Sequence, residues 1–161
     1  MIVDFSVQNF RSIKDLETLA MNAARIVSKN KEVDEQNLIP FSNRLSLLKT
    51  KAIYGANASG KSTMIRALSN FVYIIVNSVK DEESLRKRID PFILTSETLS
   101  KPTYFQLSFV LNNTQYRYGF EATTNEVNSE WLFGTPGKKE VPFFTREGNE
   151  IHVNENQFQE G

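Results

Sequence analysis

The 161-residue sequence predicts an α/β protein, an α+β lobe in which a strand–loop–helix unit precedes an antiparallel β-meander. Three features predict it. Residues 2–10 alternate between apolar and polar. A glycine-bearing loop at 55–63 opens a stretch of helical periodicity. Residues 103–155 divide into alternating segments separated by turn residues.

The elements follow in order. Val3, Phe5 and Val7 share one face of a half-buried first strand, with Asp4, Ser6 and Gln8 on the other. The apolar stretch Leu16–Met21 is expected to pair back with it. Residues 22–43 are polar and mixed, and read as a surface loop with room for a short helical piece, punctuated by Pro40. Leu45, Leu47 and Leu48 lead into Lys51–Tyr54, a short strand expected to stop at Gly55. Met64, Ile65, Leu68, Phe71, Val72, Ile75, Val76 and Val79 then recur at three- and four-residue spacing, which predicts a helix with one broad apolar face. The mixed-charge stretch at 80–90 reads as a solvated surface segment.

The meander comes next. Phe105, Leu107, Phe109 and Leu111 share a face, and Asn112-Asn113 is a turn because Asn tolerates positive φ. Tyr116, Tyr118 and Phe120 alternate in the following strand. Thr123–Asn125 turns the chain, Val127–Phe133 alternates, and Gly134–Gly137 turns it again. Val141–Arg146 and Glu150–Val153 flank the turn Glu147-Gly148-Asn149. The result is about five antiparallel strands.

Composition excludes several functions. Lys plus Arg is 19 and Asp plus Glu is 19, so the formal net charge is 0. Binding of nucleic acid or anionic membrane by bulk charge is excluded, though a local patch is not. With no cysteine there is no disulfide, thiolate metal site or cysteine nucleophile, and the single histidine, His152, cannot build a multi-histidine site. The longest apolar run, Phe71–Val76, is far short of the ~20 residues of a membrane span, and Asp4 interrupts the apolar start. A cytoplasmic protein with no membrane partner is expected.

One motif dominates. Gly55-Ala56-Asn57-Ala58-Ser59-Gly60-Lys61-Ser62 fits G-x-x-x-x-G-K-[ST], the phosphate-binding loop. Average residue frequencies make a chance match in such a chain roughly half a percent. The alternative is a glycine-bearing turn with an incidental lysine. Gly55 ends the strand, and Gly60 lets the backbone bend around phosphates without a side-chain clash. Successive N–H groups and the helix N-terminus make an anion cradle. Lys61 brings a point charge to the β- and γ-phosphates, as the residue bearing most directly on catalysis. Ser62 offers a hydroxyl to Mg²⁺, and Thr63 is placed for the α-phosphate. The expected cofactors are ATP and Mg²⁺.

The pattern of a strand, then Asn9-Phe10-Arg11-Ser12, then Ile53 through Thr63, resembles the ABC-type ATPase heads of the SMC, RecF and overcoming-lysogenisation-defect groups. It is closer still to the AAA family of ABC-like ATPases common in abortive-infection, retron and related anti-phage systems. That likeness includes Pro91-Phe92, Tyr116–Phe120 (Y-R-Y-G-F) and Ser129–Leu132 (S-E-W-L). The resemblance implies a P-loop NTPase fold and the N-terminal lobe of an ABC-like head, with residues 1–80 as strands, loop and helix and 103–155 as meander. It puts Arg11 near the nucleotide phosphates, a role its permanent planar charge suits; a surface arginine after a strand is the other reading. Asn57 is implied to shape the loop. Tyr118 and Trp131 read as core aromatics, and His152 as a surface strand residue.

Hydrolysis in such heads needs an apolar strand ending in Asp-Glu and an S-G-G signature loop. Asp81-Glu82 follows helical sequence and is rejected as that block. Residues 1–161 are therefore expected to be one lobe of a longer ATPase, weakly binding and poorly hydrolysing alone, with the C-terminal lobe outside this sequence. The resemblance implies a nucleotide-sandwich homodimer and an effector partner such as a nuclease. Nucleic acid is an implied ligand of the assembled protein that the net charge does not support. The competing function is a non-hydrolysing nucleotide-binding or interaction module.

Overall fold

The computed structural model describes residues 1–24, 29, 31–42, 45–78 and 83–158. In chain order the elements are β1 (Ile2–Gln8), β2 (Glu17–Ala20), α1 (Lys31–Asn37), β3 (Leu38–Ser42), β4 (Leu45–Leu48), α2 (Lys61–Asn77), α3 (Ser84–Arg88) and α4 (Ser96–Leu99). The meander strands follow: β5 (Thr103–Leu111), β6 (Thr114–Ala122), β7 (Val127–Thr135), β8 (Val141–Glu147) and β9 (Glu150–Val153).

Seven strands form one antiparallel sheet in the order β2-β1-β5-β6-β7-β8-β9. The five meander strands are those expected from alternation, and β2 pairs back on β1 as its apolar stretch suggests. Period-2 patterning did not foretell that β1 inserts beside β5, joining the two halves of the chain into one sheet. Asn112 and Asn113 have φ of 49° and 61°, the pair of left-handed residues that a two-residue hairpin turn requires.

The main core lies where α2 crosses one face of the sheet. Ala67, Phe71 and Ile74 pack on Phe5, Val7, Phe105, Phe120 and Ala122. Phe71 is the hub, its ring centroid 5.6 Å from those of Phe5 and Phe120 and 6.1 Å from Phe105. Tyr118 packs against the same cluster, consistent with a core aromatic. The β3–β4 hairpin covers the other face, where Leu47 meets Val3 and Val110.

Several expectations change. Val3 does not share the Phe5 and Val7 face, because a register shift between Ile2 and Asp4 turns it into the hairpin cluster. At 22–43 the short helical piece is present as α1, but the rest is not all loop, since β3 pairs there with β4 through Pro40. Lys51–Tyr54 is not a strand: β4 ends at Leu48, and among the described residues nothing pairs with 51–54. An extended segment becomes a strand only when a neighbour takes its backbone hydrogen bonds. Here the segment is tied through Lys51 Nζ, which donates to the Ala20 carbonyl at 2.7 Å, while Tyr54 stays 90% exposed.

The helix α2 carries two apolar faces rather than one broad face. Ala67, Phe71 and Ile74 are buried, whereas Ile65, Val72, Ile75 and Val76 are exposed. Of the stretch 80–90, the described residues 83–90 are more than solvated surface. Leu85 and Ile89, four apart, reach the main core, and Asn70 Nδ2 holds the Arg88 carbonyl at 2.8 Å. Val79 and Asp81-Glu82 lie outside the described residues.

Candidate functional site

The glycine-bearing loop leads directly into α2. Gly60 caps the helix with φ 89° and ψ 0°, a left-handed conformation that disfavours any side chain, and Ala58 at φ 64° bends the loop one step earlier. A Cβ on Gly55 would come within 2.8 Å of Ser59 Oγ, so the loop closes tightly there. The Gly60 carbonyl accepts from the Thr63 and Met64 N–H groups at 3.0 and 3.1 Å, starting the helix without a side-chain cap. Its first N–H groups are therefore left for an external acceptor.

Residues 55–59 are exposed, and Lys61 is half-buried. The Lys61 ammonium folds over the loop, donating to the Gly55 carbonyl at 2.8 Å, to the Ala56 carbonyl, and to Ser59 Oγ at 3.3 Å. An open cavity of about 680 Å³ lies beside it, walled by Gly60, Lys61, Tyr54, Lys51, Ser12 and Asp15.

The turn after β1 braces this loop. Asn9 and Arg11 are both left-handed, with φ of 53° and 51°. Phe10 is fully buried and exchanges backbone hydrogen bonds with Ile13 at 2.8 Å. Asn9 Nδ2 reaches the Thr98, Lys101 and Pro102 carbonyls at 2.9, 2.9 and 3.2 Å, and its Oδ1 accepts from the Phe92 N–H at 3.0 Å. Ser12 Oγ lies 2.9 Å from Thr63 Oγ1. Arg11 Nε donates to Asp90 Oδ2 at 2.6 Å, and its N–H donates to the Asp90 carbonyl at 2.7 Å.

The sequence-named residues thus fall on two sides of one helix start. Lys61 and the Gly60 turn line the first cavity, while Ser62 and Arg11 line a neighbouring one of about 540 Å³. Thr63 is engaged by Ser12. Asn57 stands exposed at the loop tip. Asn9, Ser12 and Asp90 were not given site roles by sequence reasoning; N-F-R-S contained the first two, and nothing local marked Asp90. His152 lies exposed on β9, as expected of a surface strand residue. Trp131 is half-buried, with its indole N–H donating to Gln106 Oε1 at 3.3 Å.

A loop of this form opening a helix, laid on a mixed α/β lobe, defines a nucleotide-binding, ATPase-type domain. The chain belongs to the family described as "AAA domain, putative AbiEii toxin, Type IV TA system", whose model matches residues 52–154. That span holds the whole loop, α2 and the meander. No curated protein matches the chain. Among the described residues no helix is long and apolar enough to cross a membrane.

Proposed function

We propose that this chain is the ATP-binding lobe of an ABC/SMC-like ATPase, with Gly55–Thr63 as its phosphate cradle. The observation that carries the reading is the left-handed Gly60 turn delivering uncapped N–H groups at the start of α2, with the Lys61 ammonium folded over the same loop. On binding, Lys61 exchanges carbonyl acceptors for β- and γ-phosphate oxygens, which are better acceptors because they are charged. Arg11 stands beside Ser62 and reaches a phosphate there by releasing Asp90.

Magnesium fits this donor set. Ser62 is exposed in the first turn of α2 and offers one hydroxyl oxygen. No group of three or more His, Cys, Asp or Glu side chains suited to a metal occurs among the described residues. The remaining ligands would then be phosphate oxygens and water, the usual company of Mg²⁺. Bound there, the ion supplies neutralisation of phosphate charge.

Residues 1–161 serve as one lobe of a larger head that pairs with a second copy across nucleotide, and ATP turnover licenses an effector, such as a nuclease, in anti-phage defence. The family's description, which names a toxin of a toxin–antitoxin system, supports the defence setting. The second reading, a non-hydrolysing interaction module, is favoured by the uncovered Ile65, Val72, Ile75 and Val76 of α2. Parallel measurements of ATP affinity and phosphate release separate the two. Binding without turnover, persisting when the lobe is joined to the remainder of its head, favours the module; loss of affinity in Lys61→Ala supports the cradle under either.

A further inference from the structure

We propose that the flank of α2 carries a second anion site, adjoining the phosphate loop at Ser62 and Arg11 but centred beyond it on Arg66, Lys87 and Arg88, that takes a phosphate ester. The cavity of about 540 Å³ there is walled by Arg11, Arg66, Lys87 and Arg88, with Asp90 as the one carboxylate among its described lining residues. These cations come from three separated stretches: the turn after β1, the second turn of α2, and α3. Arg86-Lys87-Arg88 is too short and too mixed with acids to argue a patch by itself. Folding sets part of it beside Arg11 and Arg66, concentrating positive charge locally in a chain whose net charge is 0.

The site is built rather than incidental. The Arg88 guanidinium carbon lies 3.9 Å from the Tyr73 ring centroid, which orients the group. Its Nε is buried with no hydrogen-bond partner among the described residues, a donor still owed an acceptor. Asn70 fixes the end of α3 through the Arg88 carbonyl, and Asp90 fixes Arg11. Lys87 pairs with Glu83 at 3.2 Å, but both are more than half exposed, and such pairs yield readily to a stronger acceptor. Ser62 and Ser69 add hydroxyls to the wall. A wall rich in donors suits a ligand whose oxygens only accept, and guanidinium forks match phosphate geometry. From Ser62 to Asn70 the wall follows α2 for about 12 Å, longer than one phosphate group. A nucleic-acid backbone and a small free phosphate share this chemistry.

The test uses Lys61→Ala as background, so that the phosphate loop contributes less, and reads only the change that further substitutions make. A fluorescein-labelled single-stranded oligodeoxynucleotide and inorganic pyrophosphate are titrated against it, with and without Arg66→Ala plus Lys87→Ala. Both added positions are exposed, and circular dichroism checks the fold. The expected result is an about tenfold or greater loss of affinity for at least one probe. For the oligonucleotide, the slope of log affinity against log salt becomes shallower by up to about 1.4, at about 0.7 for each of the two cations removed. Loss for the oligonucleotide alone identifies a polymer backbone, and loss for pyrophosphate alone a small phosphate. Unchanged affinity for both probes, or no binding of either in the Lys61→Ala background, overturns the proposal. ATP affinity of the Arg66→Ala plus Lys87→Ala protein with Lys61 intact is expected to be unchanged, so failure of this site and failure of the ATP reading are distinguishable.

Discussion

Ser12 Oγ and Thr63 Oγ1 meet at 2.9 Å across fifty-one positions of sequence, joining the turn after β1 to the first turn of α2. The contact links the antiparallel sheet to the phosphate loop, since Thr63 also donates its N–H to Gly60. A double-mutant cycle on Ser12→Ala and Thr63→Val should give a coupling of about 0.5–1 kcal/mol in urea unfolding, because the pair is exposed and neutral. Each single variant should also weaken ATP binding modestly. Additive single effects would remove the brace from this account.

Asn9 is expected to be the most sensitive polar residue outside the loop. Its amide satisfies backbone groups of residues 92, 98, 101 and 102 while its own φ is positive. Asn9→Ala leaves those buried groups unpaired and places a residue without local hydrogen bonding in a left-handed conformation. The loss should be about 2–4 kcal/mol by chemical denaturation. Asn9→Asp keeps the acceptor and the backbone tolerance but sets a carboxylate oxygen against three carbonyl oxygens at a buried site, and should cost at least as much.

Two strand glycines respond differently to a methyl group. A Cβ on Gly119 would lie 2.6 Å from both the Phe105 carbonyl oxygen and the Trp131 ring, whereas one on Gly134 would meet only the Phe143 ring, at 2.4 Å. Gly119→Ala should destabilise by about 2 kcal/mol or more and resist rescue by Trp131→Ala, because backbone cannot move aside. Gly134→Ala should be largely relieved by Phe143→Leu. Thermal unfolding of the four proteins checks the contrast.

The pair Arg117–Glu140 offers a pH test. The Arg117 guanidinium, at 2.7 and 3.0 Å, holds the Glu140 carboxyl below its ordinary value, chiefly by hydrogen bonding, which outweighs the opposing effect of burial, with a smaller contribution from charge. A depressed folded value means the contribution is present above the unfolded value, near 4.3, and is lost as pH falls through the folded one. Glu140→Gln should therefore cost stability at pH 7 and progressively less in acid. The cost should be under about 1 kcal/mol, since the pair is partly exposed to screening solvent.

Much of the fold was legible because alternation reports a half-buried strand directly, and the five meander strands and the β1–β2 hairpin followed from it. Lys51–Tyr54 was misread for the same reason: its apolar residues look like a strand, but patterning does not say whether a partner is present. Val72 and Ile75 were misread because helical periodicity marks apolar residues without saying which stripe is covered. At the site, Gly55–Thr63 was legible through a local motif whose chemistry depends on consecutive backbone groups. Asp90 was invisible, because its role arises only when the chain returns to Arg11 from seventy-nine positions away.

The central claim is that Gly55–Ser62 holds the phosphates of ATP, and calorimetric titration of ATP with Mg²⁺ into the protein and its Lys61→Ala variant tests it most directly. Saturable single-site binding is expected, weakening by about 100-fold in the variant, as loss of a charged contact to two phosphates implies. Equal affinity in the two proteins would contradict it.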